Sequence, residues 1–246
     1  MMNTRKWVLV TGGSRGIGKA LVIHLAKTYD VIFTWKNHAS QAAFVESSCA
    51  QAYGNVKGYR CDGGDEEQVA QLAELLVSVR GAPFGIIHNA GITCDALHIK
   101  QASADWHEII NTNLNALFHW NQHLLPGMLA RGEGSLILMS SVSAVKGNIG
   151  QVAYSATKAA MTGMTRSLAL EVARFGIRVN SLLPGVIETE MSSALSTEEY
   201  KKIRSVIPVR RLGKPDEIAQ VADFLLSDAS SYITGQSIIV DGGLSA

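Results

Sequence analysis

Short unbroken apolar runs alternate along this chain with longer stretches whose apolar positions recur at helical spacing. Trp7–Val10, Val31–Trp35, Val56–Cys61, Leu136–Met139, Ile177–Leu183 and Ile238–Val240 are such runs, and another begins at Phe84 and ends in the small residues of Asn89–Gly91. Strands of a parallel sheet are covered on both faces, so they read as continuous apolar runs rather than alternating ones. Between them, helical patterns cover 19–26, 40–53, 67–79, 104–125, 152–175, 197–207 and 215–226. Strand and helix alternating in this way predict an α/β protein with a doubly wound, seven-stranded parallel sheet. Within 104–125, Trp106, Ile109, Ile110, Leu114, Leu117 and Phe118 hold the apolar positions, and Asn113 interrupts the pattern. An asparagine in mid-helix costs a few tenths of a kcal/mol of propensity, which surface residence alone would excuse. Residues 188–212 carry little core signal and read as a lid facing substrate.

Composition narrows the class. Of 246 residues, 47% are apolar and 17% charged, enough for one large core and too apolar for disorder. A formal net charge of +1 removes the bulk electrostatic case for nucleic acid. Cys49, Cys61 and Cys94 include no C-x-x-C pair, so neither a disulfide framework nor a zinc site is indicated. No apolar run is long enough to span a bilayer, and a strand is reached by Trp7 without a leader, so a cytoplasmic protein is expected.

The first strand empties into Thr11-Gly12-Gly13-Ser14-Arg15-Gly16-Ile17-Gly18, and a helix follows. A glycine-rich turn there brings backbone N–H groups and a helix N-terminus to a pyrophosphate. Gly12, Ser14, Arg15, Gly16, Ile17 and Gly18 are therefore candidate cofactor contacts, although the spacing is G-x-x-x-G-x-G rather than G-x-G-x-x-G. An acidic residue ending the second strand would bind a ribose 2′-hydroxyl. Lys36 and Asn37 stand there instead, with Arg15 in the turn, and two cations suit a 2′-phosphate, so NADPH is expected. Asp62, followed by Gly63 at the end of the third strand, is placed to accept from an adenine amino group or to cap a helix. Asn89 can tie strand ends together, while Ala90 and Gly91 allow close approach of the cofactor. His88, at the end of a buried strand, reads as a packed residue rather than a base.

The fifth strand runs into Ser140 and Ser141, crosses a loop marked by Gly147, Asn148 and Gly150, and leads to a helix carrying Tyr154 and Lys158. Residues four apart share a helix face. A phenol beside an ammonium, with a serine hydroxyl at a strand end, makes a proton-transfer site. By itself the Tyr–Lys pair is common enough to be only an exposed pair.

Taken together, T-G-x-x-x-G-x-G at Thr11–Gly18, N-A-G at Asn89–Gly91, Asn113, Ser141, Y-x-x-x-K at Tyr154–Lys158 and P-G at Pro184–Gly185 resemble the short-chain dehydrogenase/reductase family over nearly the whole chain. Within the family the pattern most resembles the β-ketoacyl-[acyl-carrier-protein] reductases. The resemblance implies a single Rossmann-type, NADP-binding domain over 1–246, hydride transfer from NADPH to a carrier-bound 3-oxoacyl thioester, and a place in fatty-acid or polyketide/aryl-polyene-like synthesis. It implies that Tyr154 is the general acid, that Ser141 rather than Ser140 orients the carbonyl, and that Asn113 holds a water relaying protons to Lys158. Lys158 would also bind the nicotinamide ribose, and Pro184, Gly185, Ile187 and Thr189 would complete the cofactor site. Bringing a phenol from a pKa of about 10 to about 7 requires roughly 4 kcal/mol. An ammonium at about 4 Å in a dielectric near 20 supplies about that much, so Lys158 is expected to tune Tyr154. Homotetramers through the helices bearing Asn113 and Tyr154 and through the C-terminal segment are implied as well. Where the resembling reductases carry cations for an acidic carrier protein, this chain has Gly132 and Phe175, with Arg131 and Arg174 one residue earlier. His88 and Cys61-Asp62-Gly63 also depart from the family pattern. Two other readings remain: a reductase of a small ketone, sugar or steroid, and a non-catalytic NADPH-binding regulator or scaffold.

Overall fold

The strand β1 (Trp7–Val10) is fully buried, with Trp7 and Leu9 on one face of a sheet and Val8 and Val10 on the other. That two-sided burial is why the run has no polar alternation. A computed structural model of the chain describes residues 5–51, 54–190 and 196–246. After β1 come α1 (Gly16–Leu25), β2 (Asp30–Trp35), α2 (Ala39–Ser48), β3 (Val56–Arg60), α3 (Glu66–Arg80) and β4 (Gly85–His88). The second half runs through α4 (Ser103–Ile110), α5 (Ala116–Arg131), β5 (Gly134–Met139), the short α6 (Ser143–Lys146), α7 (Val152–Val172), β6 (Ile177–Pro184), α8 (Thr197–Val206), α9 (Pro215–Leu226) and β7 (Ser237–Val240). All strand pairings are parallel, in the order β3-β2-β1-β4-β5-β6-β7. The doubly wound α/β sheet read from the pattern is the one observed.

One core layer lies under α1 and α9, with Val10, Phe33, Ile87, Ile137 and Leu182 from the sheet. The other lies under α3, α5 and α7, with Leu9, Ile32, Ile86, Leu138 and Val179. The strand order reverses direction between β1 and β4. The C-terminal ends of those strands therefore open the crevice where such sheets bind ligands.

Four features depart from the sequence pattern. The helix expected over 104–125 is two helices joined by a π-helical turn, Asn111–Asn115. Its continuation runs past Pro126 to Arg131. Pro126 faces solvent while Leu117, Trp120, Leu124 and Met128 are buried, so packing offsets the bond that the proline removes. Phe118, assigned to the apolar stripe, is instead 53% exposed. The helix expected to reach Tyr53 ends at Ser48, and Tyr53 lies outside the described residues.

In the segment 188–212, α8 buries no side chain, but Ile207 and Leu212 at the segment's far end are buried. Its near end is held by a bridge between Ile187 and Gly213. Met191 and the rest of 191–195 lie outside the described residues.

Candidate active site

The glycine turn sits at the strand-order reversal and is pinned from β4. The Asn89 side-chain amide donates to the carbonyls of Thr11 and Gly12, at 3.0 and 3.1 Å. The Thr11 hydroxyl in turn accepts from the backbone N–H groups of Asn89 and Ala90, both at 3.0 Å. Asn89 thus ties the ends of β1 and β4 together. Gly12 has φ +68, a left-handed conformation that favours glycine. A Cβ on Gly18 would lie 2.0 Å from the Gly12 carbonyl oxygen, so α1 can begin this close to β1 only with glycine there. Arg15, exposed at the N-cap, gives α1 no side-chain cap, and the first turn holds no acidic residue. A strand, a tight turn and an acid-free helix N-terminus fit an anionic dinucleotide. Ser14 is buried in the turn, whereas the Ile17 side chain packs on the core, leaving only its backbone toward a cofactor.

At the ends of β2 and β3, Lys36 and Asp62 form an ion pair of 2.7 Å, with Asn37 exposed beside them. Asp62 also accepts from the backbone of Gly64 at 3.0 Å. It is not the cap of α3; Asp65 is, accepting from the Gln68 N–H at 3.1 Å. Gly63 follows Asp62 directly, and a Cβ there would lie 3.1 Å from Ala116.

The residues expected to transfer protons lie around the end of β5. Ser140 is buried, and its hydroxyl donates to the Lys158 carbonyl at 2.7 Å, which occupies it structurally. Ser141 is half-buried; its Oγ accepts from the Ser143 N–H at 3.1 Å and bonds the Tyr154 phenol. Lys158 is buried, donates to the Met139 carbonyl at 2.6 Å, and lies 5.5 Å from the Tyr154 ring centroid. Burial lowers its pKa from 10.5 to about 8. Across Gly91 stands Asn113: a Cβ on Gly91 would be 3.3 Å from both Asn113 Oδ1 and Lys158 Nζ.

Asn113 is fully buried, not a surface residue. Its side chain accepts from Ile92 N–H at 2.8 Å and donates to the Ile92 carbonyl at 2.9 Å and to Thr157 at 3.2 Å. Those bonds sit in the π-helical turn. Such turns widen a helix locally and concentrate at functional sites.

The expectation that Lys158 lowers the Tyr154 pKa is not met. Burial pushes the phenol above its usual 10; the Ser141 bond draws it down, and the charge of Asp95 pushes it up again. Desolvation of both groups is the cause: taking a phenol out of water disfavours its anion. His88 is buried against Asn121 at 2.8 Å and held neutral by burial, its pKa lowered to about 4.

The remaining expected contacts take different positions around the site. The Ile187 side chain packs into the core beneath α1 and α9. Gly185 is wedged against Asp241, and the Pro184 carbonyl accepts from Val142 N–H at 3.0 Å, so both brace the floor of the site. Thr189 reaches the glycine turn, its Cγ2 3.4 Å from where a Gly16 Cβ would be. Arg131 ends α5 and Arg174 precedes β6, which places both at the N-terminal edge of the sheet, opposite Ser141 and Tyr154. The Arg131 guanidinium is spent on the carbonyls of Ala82, Pro83 and Glu133, at 2.5, 2.5 and 3.0 Å. Arg174 stacks on Phe175, 4.7 Å from the ring centroid.

Sequence reasoning missed Asp95 and Ser143. Asp95 carries no motif, and its partner Gln151 lies 56 residues away. The glycines of 147–150 were the only signal that this loop returns to the site.

The fold and this site define a dinucleotide-dependent oxidoreductase. A family model described as Enoyl-(Acyl carrier protein) reductase matches residues 12–245. The chain is 38% identical to a 3-oxoacyl-[acyl-carrier-protein] reductase FabG from Thermotoga maritima, over 97% of each chain. It is 39% identical to an acetoacetyl-CoA reductase from Synechocystis, over 96% of this chain and 95% of that one. A 3-oxoacyl-[acyl-carrier-protein] reductase FabG from Staphylococcus aureus is 38% identical over 99% of each. The chain belongs to the short-chain dehydrogenase/reductase family of nicotinamide-dependent enzymes. Among the described residues, no helix is long and apolar enough to cross a membrane.

Proposed function

We propose that the protein reduces 3-oxoacyl thioesters to 3-hydroxyacyl thioesters with NADPH, as a cytoplasmic homotetramer. The observation that carries this reading is the meeting of Ser141, Tyr154 and Lys158 at the end of β5, with Asn113 and Lys158 both against Gly91. The names of the related reductases supply the substrate class.

When bound, the reduced nicotinamide supplies a hydride to the carbonyl carbon and is itself oxidised. Tyr154 gives its phenolic proton to the carbonyl oxygen, so the ketone gains one hydride and one proton and becomes the alcohol. A raised pKa keeps the phenol protonated at neutral pH, the state an acid must hold before it acts. Ser141 donates to the carbonyl, orienting it and stabilising the developing oxyanion. Lys158, with Asn113 opposite it, returns a proton to Tyr154 through water. Gly12, Ser14, Arg15, Gly16 and Gly18 hold the pyrophosphate side. Lys36 and Arg15 hold the 2′-phosphate, Lys36 dividing its charge between that group and Asp62. Asn37, Asp62 and Gly63 border the adenine, while Asn89, Ala90, Gly91, Pro184, Gly185 and Thr189 line the nicotinamide end, with backbone from Ile17 and Ile187.

Exposed Phe118 on α5 and Leu170 on α7, the latter 86% exposed, favour subunit contacts through these helices. A monomer by light scattering at micromolar concentration would reject the tetramer.

A second reading concerns the thioester carrier. Arg131 is committed to backbone carbonyls, and within one chain neither arginine borders the site. Coenzyme A is therefore a competing carrier, as in the name of the Synechocystis relative. NADPH oxidation assayed with acetoacetyl groups on carrier protein, on coenzyme A and in simple ketones separates the readings. Turnover of the thioesters supports the proposal, and the better of the two names the carrier. Turnover of free ketones alone, or binding without turnover, overturns it.

A further inference from the structure

The segment between β6 and α9 carries charge out of proportion to its length. Between Glu199 and Asp216 it holds Lys201, Lys202, Arg204, Arg210, Arg211 and Lys214, and no acidic residue. The whole chain is only +1, so the rest of it is net negative. All six of these cations are exposed. Arg211 is neutralised by Glu217, at 2.7 and 2.6 Å. None of the other five forms an ion pair among the described residues. Lys201 and Arg204, three apart on α8, share a face.

This segment stands at the same edge of the sheet as the site. It leaves from β6, whose Pro184 carbonyl accepts from Val142 N–H next to Ser141. It passes the glycine turn at Thr189 and returns where Gly213 bridges Ile187. Before that return, Val209 N–H donates to the Gly242 carbonyl at 3.3 Å, and a Cβ on Gly243 would lie 3.0 Å from Pro208, both just beyond β7. A thioester on an acidic carrier therefore approaches along the edge that holds these six cations, not along the edge of Arg131 and Arg174. Arg210 adds a second observation. It is the one non-glycine residue among the described ones with a positive φ, +58. That conformation costs any residue with a Cβ, favours glycine, and clusters where function holds it. Its guanidinium donates to the Ser205 carbonyl near the end of α8, which uses one of five donors.

We propose that the segment from Lys201 to Lys214 is the docking surface for an acidic acyl-carrier protein, doing the work that Arg131 and Arg174 cannot do from the far edge. This rests on the thioester-reductase reading of the site given above. The occupant is a protein rather than coenzyme A because the cations are spread along a helix and the loop after it, with exposed Val206 and Val209 between them. A phosphate takes a convergent set of donors, whereas a protein face takes charge arranged around apolar contacts. Surface charge of this kind speeds encounter with an opposite charge and leaves the chemical step alone.

The test compares wild type, Lys201→Ala/Lys202→Ala/Arg204→Ala, Arg210→Gly and Arg174→Glu. It measures kcat/KM on acetoacetyl-carrier protein and on acetoacetyl-coenzyme A, melting temperature, and binding of a fluorescently labelled acidic acyl-carrier protein by anisotropy, at low and physiological salt. Alanine keeps the helix propensity of α8. In the triple variant, carrier binding and kcat/KM on the carrier-bound substrate should fall about tenfold at low salt, with the gap narrowing as salt rises. Its turnover of the coenzyme A thioester and its melting temperature should hold. Arg210→Gly should lose in the same sense and melt no lower, and Arg174→Glu should match wild type on both substrates. Equal losses on the two thioesters, no loss on the carrier-bound one, or a loss in Arg174→Glu in place of the triple variant overturns the proposal. A lower melting temperature for Arg210→Gly without that loss makes Arg210 a cap of α8 and overturns its part in the surface. A wild type that uses only the coenzyme A thioester and binds no carrier protein overturns the docking surface and leaves the thioester reading standing. A wild type that reduces neither thioester but binds carrier protein through these cations overturns that reading and supports the surface.

Discussion

The ammonium of Lys158 donates to the carbonyl of Met139 at 2.6 Å, anchoring α7 to the end of β5 inside the protein. Burial lowers its pKa from 10.5 to about 8. Between those values the folded chain binds fewer protons at this position than the unfolded chain does. Stability therefore rises with pH from about 8 to about 10.5, by up to about 1.4 kcal/mol per unit from this group, and the full cost of the buried charge is present below 8. Urea unfolding of wild type and Lys158→Met across that range checks the sign. The wild type should gain on the variant as pH rises, and a flat or falling difference would contradict it.

Tyr154→Phe removes the proton donor and little else. Its turnover should fall by the 10²–10⁴ typical of general acid catalysis, while NADPH affinity by fluorescence titration stays near that of wild type. Near-normal turnover would refute the role.

The Lys36–Asp62 pair predicts how the cofactors are told apart. Arg15→Ala/Lys36→Ala should weaken NADPH by at least tenfold, two phosphate contacts being lost, and leave NADH nearly unchanged. Equal losses for both would mean that the cations serve the fold and not the 2′-phosphate.

Asn113→Ala should destabilise the protein by about 1–3 kcal/mol, the range for leaving buried polar groups unpaired. Both backbone groups of Ile92 and the Thr157 hydroxyl would lose the same partner. Chemical denaturation measures this directly; a change within about 0.5 kcal/mol would show that water replaces the side chain.

Much of the fold was legible because a parallel sheet covered on both faces leaves its mark locally: each strand is a short apolar run, each helix a periodic one. The glycine turn, the strand-end serines and the Tyr154–Lys158 spacing were legible for a similar reason, since each is a local geometry that few residues satisfy. The π-helical turn at Asn113 was not, because the side chain it carries is held by Ile92, 21 residues away. Nor was the helix through Pro126, where distant packing overrides a local breaker.

By itself, then, the sequence determined the alternating elements, the layered sheet and the residues able to carry a dinucleotide and a proton. Only the tertiary structure decided how those residues bear on one another. It occupied Ser140 with Lys158 and left Ser141 to the phenol, paired Lys36 with Asp62, turned Arg131 and Arg174 to the far edge, and joined Asp95 to Gln151. Each of those outcomes depends on desolvation or on contacts between distant segments. Neither is encoded in the identity of a residue or its near neighbours, and both arise only when the sheet brings strand ends and loops together.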